Sequence, residues 1–277
     1  IATDNQTVVV ATVILLASSS CSAGNISGTI KDAVSGSAIS GVSISIRSGA
    51  NVTSGSTISG KTDNTSNSGT YTVSGVDAGG YTVQASKSGY ITSYFNVNVC
   101  SGNLTNQDAN MSTTLNSETM RIVLSWKGTD DLDSHLEIPC TSGTCSGSNK
   151  NDKSHLYYGT VQSSAISDSG VSTETYHLYA AGDYVTLDQD NGDGSGAPCG
   201  VGCGPETMTI SKIRSGTYRY HVHNYDRKGN DNNSNLAESE AMVQVFYNDN
   251  STTFYVPNSA GNLWTVFDFD NSSGFNA

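Results

Sequence analysis

Ile26-Ser-Gly-Thr-Ile-Lys-Asp32, followed by Gly41-Val-Ser-Ile-Ser-Ile46, puts apolar or small residues at every second position. That is the period of a strand with one buried face. The alternation returns in Gly69-Thr-Tyr-Thr-Val73, Gly80-Tyr-Thr-Val-Gln-Ala-Ser86, Gly89-Tyr-Ile91 and Tyr94-Phe-Asn-Val-Asn-Val99, with glycine-rich turns between the runs. Short strands at this spacing describe a small β-sandwich. Composition agrees: Leu, Lys, Arg and Glu are thin, whereas Val, Thr, Ser and Tyr are abundant, which favours strands over helices. Charged residues make up 14% of the 277, a level that could suggest disorder, but 14 Tyr and the long alternating runs mark a folded, polar chain. The expected class is all-β.

Downstream, the Ser/Thr/Asn-rich stretch 113–119 reads as a linker, and a second alternating pattern follows it. It runs through Arg121-Ile-Val-Leu-Ser-Trp126, Asp130-Asp-Leu-Asp-Ser-His-Leu136, His155-Leu-Tyr-Tyr-Gly159 and Val185-Thr-Leu-Asp-Gln-Asp190. It continues with Gly204-Pro-Glu-Thr-Met-Thr-Ile210, Gly216-Thr-Tyr-Arg-Tyr-His-Val-His-Asn-Tyr225, Ala241-Met-Val-Gln-Val-Phe246 and Leu263-Trp-Thr-Val-Phe-Asp-Phe269. Two β-sandwich domains in tandem are therefore expected, over residues 21–115 and 116–277, preceded by an extended strand in residues 1–20.

That leading segment contains Thr7-Val-Val-Val-Ala-Thr-Val-Ile-Leu-Leu-Ala17. A signal peptide would want a basic start and an initiator Met, neither of which stands before it. A membrane helix needs about 18–20 apolar residues. A run of Val8, Val9, Val10, Val13, Ile14, Leu15 and Leu16 reads instead as a strand buried on both faces. It is either the first strand of its own domain or a donor strand that completes the sheet of the next subunit. The second arrangement is head to tail and does not close on itself, so it builds a filament.

The net charge of −12 excludes phosphate-backbone binding, because no stretch collects the necessary Lys and Arg. Anionic membrane surfaces are disfavoured for the same reason. The six cysteines fall at Cys21, Cys100, Cys140, Cys145, Cys199 and Cys203. An even number suits three disulfides in an oxidising, extracellular compartment. A zinc site from Cys140, Cys145, Cys199 and Cys203 is the rival, although C-x4-C and C-x3-C are looser than a C-x2-C knuckle. Nine N-glycosylation sequons, at Asn5, Asn25, Asn51, Asn64, Asn103, Asn110, Asn232, Asn250 and Asn271, agree with an outside location.

The pattern Ile-x-Gly-x-Ile-x-Asp, Gly-Val-x-Ile-x-Ile, Gly-x-Tyr-x-Val, Gly-Gly-Tyr-x-Val-x-Ala and Gly-Tyr over residues 25–100 resembles the carboxypeptidase regulatory-like (transthyretin-like) domain. The resemblance implies a non-catalytic spacer or adhesive module of a secreted protein, in which a Cys21–Cys100 disulfide would tie the start of the domain to its last strand. Residues 120–270 resemble the YfaP-like β-sandwich domain of bacterial and archaeal surface and periplasmic proteins. The Trp, Asp-Leu-Asp-x-His, Tyr-Tyr, Leu-Asp-x-Asp, Gly-Pro-Glu and Gly-x-Tyr elements carry that likeness. It implies a fold more than a role. Between Asp190 and Gly204 the chain departs from it by a Cys-bearing, Gly-rich insertion.

Chemistry concentrates in two acidic clusters and one glutamate. Asp131 and Asp133 share a face of an extended segment, as do Asp188 and Asp190. With Asp193 and Glu206 they are candidate ligands for Ca²⁺, which takes six to eight oxygens. The plainer reading is a solvated acidic turn, since Asp-Gly and Asn-Gly suit turns. His221 and His223 share a strand face and are weighed as zinc ligands with His135 or His155. A structural role beside the tyrosines is the alternative. No Gly-x-Ser-x-Gly, His-Glu-x-x-His or phosphate loop is present, so no enzymatic activity is expected. The expected role is a subunit of an extracellular, pilus-like filament, partnered by its own copies through the N-terminal strand. A monomeric calcium-binding adhesin or carbohydrate-binding module, with glycans as partners, is the alternative.

Overall fold

The computed structural model describes residues 21–139, 153–157, 174–180, 183–191 and 205–277, and the side chains of all but 153, 154, 174–180, 183 and 184. The apolar run 8–16, Asn5, Asp193, Cys140, Cys145, Cys199 and Cys203 lie outside the described residues.

Among the described residues the regular structure is nearly all strand. In the first part run β1 (Gly24–Asp32), β2 (Ser43–Ser48), β3 (Thr62–Asn64), β4 (Thr70–Val76), β5 (Gly79–Ser86), β6 (Ser93–Val99), β7 (Gly102–Leu104) and β8 (Ala109–Met111). One sheet has the order β3-β2-β5-β6; in the other, β1 lies between β4 and the pair β7 and β8. The alternating residues Ile26, Ile30, Ile44, Ile46, Val83 and Phe95 meet in the core between these sheets.

β1 pairs in parallel with both of its later neighbours: Asn25 lies opposite Asn103, and Lys31 opposite Asn110. Between the two pairings the chain at Gln107 crosses over Gly28. A Cβ on Gly28 would sit 2.1 Å from the Gln107 carbonyl oxygen, so only glycine admits the crossing. The loop is fixed there by Gln107 N–H donating to Ser27 O (3.0 Å) and Thr29 N–H donating to Asp108 Oδ1 (2.7 Å). A disulfide joins Cys21, just before β1, to Cys100, just after β6.

In the second part come β9 (Met120–Ser125), β10 (Leu132–Pro139), β11 (Lys153–Leu156), β12 (Glu174–Ala180), β13 (Asp183–Gln189), β14 (Glu206–Ile210), β15 (Tyr218–Asn224), a four-residue helix α1 (Asn235–Glu238), β16 (Met242–Tyr247), β17 (Asn250–Tyr255), β18 (Leu263–Asp270) and β19 (Gly274–Asn276). They form sheets of order β11-β10-β15-β18-β19 and β12-β13-β14-β9-β16-β17. Tyr220 and Phe267 stack at 5.6 Å within the core, among Trp126, Leu136, Met208 and Val243. Among the described residues no helix is long and apolar enough to cross a membrane.

The two sheet pairs are docked face to edge. Ala33, Ile91, Val123 and Phe246 form a buried cluster between them, with Leu115 against it. Around this cluster, side chains satisfy backbone groups across the junction. Gln244, fully buried, accepts from Asn110 N–H at 3.0 Å and donates to Ser93 Oγ at 2.6 Å. Ser251 and Thr253 donate to the Thr92 and Tyr94 carbonyls at 2.9 and 2.7 Å. The Thr207 hydroxyl donates to the Ala33 carbonyl. The 113–119 stretch is held here rather than swinging free: Thr113 bridges Tyr90, and the Thr119 hydroxyl donates to Ser211 O at 3.0 Å.

Tyr255 Oη accepts from Asn96 N–H at 2.6 Å in the same junction. Tyr255→Phe strands that donor and is expected to cost about 1–2 kcal/mol in chemical denaturation. A change near zero would mean that water replaces the hydroxyl.

Candidate metal centre

β10 and β15 run antiparallel with Asp133 opposite His223, His135 opposite His221 and Glu137 opposite Arg219. β11 adds His155 opposite Glu137. Even-numbered residues of both central strands, such as Leu136, Tyr220 and Val222, enter the core. By the two-residue period of a strand, the odd-numbered ones then share the outer face. Four histidines and Asp133 are thereby gathered on one side of one sheet.

Asp133, His135 and His223 each offer a ligand atom, and these atoms all lie within 4.8 Å of one another. Asp133 is only 3% exposed, and its Oδ2 has no hydrogen-bond partner. Burial, reinforced by the charges of Asp131, Asp190 and Asp226 against the opposing Lys228, pushes its carboxyl up to about 8. Half-buried His135 pairs its Nδ1 with His155 Nε2 at 2.9 Å, while its own buried Nε2 has no partner. Burial and the neighbouring imidazoles of His155, His223 and His221 lower its pKa to about 3, so the ring is neutral. Burial and Lys228 also lower that of His223. Tyr157 stacks on His135 at 5.1 Å and on His155 at 4.7 Å, which fixes the planes of both rings.

Glu206 lies just inside, 1% exposed, and accepts from Ser134 N–H at 2.6 Å. Burial, then the charges of Asp133 and Asp190, raise its pKa well above the ordinary value. Asp131 N–H donates to Asp226 Oδ2 at 3.0 Å. Asp130 works as a structural hub. Burial opposes its charge, yet bonds from Arg227 (2.9 Å) and Asn224 (2.8 Å) hold its carboxyl below the usual range.

Of the acidic residues expected to converge, Asp131, Asp190 and Glu206 come within electrostatic range of Asp133. Asp188 does not join them. With Val185 and Leu187 in the core, Asp188 shares the opposite face with Thr186 and Thr209 and takes both their hydroxyls, near Arg121. Asp226 is the addition that the acidic motifs did not signal. The signal for the imidazoles was present: Asp133-x-His135 and His221-x-His223 are same-face pairs.

Among the sequons, Asn51, Asn64, Asn103, Asn232, Asn250 and Asn271 are exposed. Asn25 is half-buried, its amide donating to Asn103 Oδ1 at 2.9 Å and accepting from Gly75 N–H. Asn110 is corrected as a glycan acceptor: it is 3% exposed in β8, against Gln244, and the fold leaves no room for a sugar there.

Residues 25–112 match the family model of the carboxypeptidase regulatory-like domain. No curated protein matches the chain in sequence. Solved structures similar in shape include the Bacillus anthracis TIE protein, at 9% identity and a TM-score of 0.26, with 86% of this chain and 32% of that one covered. A streptococcal ancillary pilin aligns at 10% identity and a TM-score of 0.28, covering 87% of this chain and 62% of that one. The full-length major pilin SpaD from Corynebacterium diphtheriae aligns at 13% identity and a TM-score of 0.28, covering 87% and 67%. The chain thus spans about a third of the first of these and under two-thirds of the second.

Proposed function

We propose that the chain is a non-catalytic structural subunit of an extracellular filament, joined head to tail by insertion of the apolar strand 8–16 into a neighbouring copy. The observation that supports this reading is the Cys21–Cys100 disulfide. In such a filament, tension reaches the first sandwich through residues 1–20. The crosslink stands where that segment meets β1 and passes the pull covalently to the end of β6, so the 79-residue separation between the two cysteines cannot be drawn out. A disulfide also suits an oxidising compartment. The docked junction between the two sheet pairs serves the same end, because a spacer with a satisfied, buried hinge keeps its length.

Sedimentation of the full chain and of a chain lacking residues 1–20 tests the proposal. The full chain is expected to give a concentration-dependent series of polymers and the shortened one a monomer. Polymers from the shortened chain, or a full chain that stays monomeric at every concentration, would contradict it.

A further inference from the structure

We propose that Asp133, His135 and His223 bind one divalent transition-metal ion of the zinc class on the outer face of the β11-β10-β15-β18-β19 sheet. The proposal does not rest on the assembly reading.

The first support is convergence. Three side chains on two adjacent strands present ligand atoms within 4.8 Å of one another. Ligand atoms around a tetrahedral zinc, each about 2.0–2.1 Å from the ion, stand about 3.4 Å apart. Small side-chain rotations close the difference, and the paired register of Asp133 with His223 fixes the backbone that carries them.

The second support is what these atoms lack. Buried polar atoms are almost always paired, because an orphan costs its full desolvation. Here Asp133 Oδ2 and His135 Nε2 are both buried without a partner, and their residues belong to the same three-member set. Asp133 is 97% removed from solvent, as its 3% exposure shows. Two orphans in one three-residue set are accounted for together by a cation between them.

The third support lies behind the ligands. When His135 Nδ1–H donates to His155 Nε2 at 2.9 Å, the lone pair of its own Nε2 is left for a metal ion. A ligating histidine usually donates its other ring N–H to an outer-shell acceptor that fixes its tautomer and orientation, and the His155 imidazole takes that place here. Tyr157, stacked on both rings, holds the pair in plane. Asp131, Asp190 and Asp226 surround Asp133 with negative charge and draw a cation inward.

The donor set names the ion class. Calcium is held by six to eight oxygens, whereas two imidazoles and a carboxylate suit zinc, nickel, cobalt or copper.

Titration of the chelator-treated full chain with ZnCl₂ in a calorimeter tests the proposal, with CoCl₂ absorption spectra alongside. One zinc per chain is expected, and a cobalt spectrum without an intense thiolate-to-metal band. His223→Gln and Asp133→Asn should each weaken binding at least ten-fold. His221→Gln and Asp188→Asn should leave it within about three-fold. Metal-free melting curves report whether each variant folds. His223 is half-buried, so His223→Gln supplies the reading if Asp133→Asn fails to fold. Absence of saturable zinc binding overturns the site, as does unchanged binding by His223→Gln or a thiolate band marking cysteine ligation. Stabilisation by CaCl₂ but not by ZnCl₂ also overturns it, in favour of an oxygen-only site.

Discussion

Removing the Cys21–Cys100 crosslink in a Cys21→Ser/Cys100→Ser chain is expected to lower stability by about 4 kcal/mol and to lengthen the chain under tension. The stability figure follows from loop closure. A bridge across 79 residues removes much of the unfolded chain's freedom, and loops of that size are worth about 4 kcal/mol in the chain-entropy account. The mechanical effect is larger and more specific. When the full chain is pulled by its ends, the intact disulfide keeps the 79-residue separation between the two cysteines out of the tension path. In the serine variant that segment extends at about 3.3–3.6 Å per residue, adding roughly 270 Å to the unfolding length. Single-molecule force extension reads this directly. Equal unfolding lengths for the two chains would show that the bridge carries no tension.

Gln244→Leu is expected to cost about 3 kcal/mol and to uncouple the two sheet pairs. Gln244 is fully buried and satisfies the Asn110 N–H at 3.0 Å and the Ser93 hydroxyl at 2.6 Å. Leucine fills nearly the same volume, so packing changes little. The two polar groups, however, are left buried without partners, because Asn110 is 3% and Ser93 0% exposed. Each orphan costs about 1–3 kcal/mol. Since the lost contacts span the junction, the first sheet pair should melt separately from the second in calorimetry, and the unaltered chain should melt in one transition. Adding Ser93→Ala removes one orphan and should restore about 1 kcal/mol, which a double-mutant cycle isolates. A loss below 1 kcal/mol with a single transition would mean that the junction is held by its apolar cluster alone.

The strands were legible wherever alternation is local. Ile26 to Asp32, Gly80 to Ser86 and Tyr218 to Tyr225 fall in β1, β5 and β15 and the turns beside them. What alternation cannot show is which outer face another part of the chain covers. Gln244 reads as a solvent-facing residue of its own strand, and it does lie on the outer face of its sheet. It is buried because the first sheet pair sits on that face. The 113–119 stretch reads as a linker by composition and is nevertheless docked, for the same reason. Gly28 carries its meaning only once the chain at Gln107 passes over it.

The candidate site divides in the same way. Same-face pairs such as Asp131 with Asp133 and His221 with His223 follow from the strand period alone. That Asp133 lies opposite His223 is a register between strands about ninety residues apart, which depends on long-range pairing. The calcium set assumed that β10 and β13 are neighbours. They belong to different sheets, and Asp188 stands with Thr186 and Thr209 on the face of its sheet opposite the core residues Val185 and Leu187. The nitrogen ligands were visible as residues, and their convergence was not.

Head-to-tail insertion of the N-terminal strand is tested most directly by isotope mixing. A photo-crosslinking residue is placed at Ile14, and ¹⁵N-labelled and unlabelled chains are mixed, dissociated and reassembled before illumination. The filament account predicts crosslinked peptide pairs of mixed isotope, joining position 14 of one chain to a sandwich of another. Crosslinks confined to peptides of a single isotope would place the strand in its own chain and contradict the account.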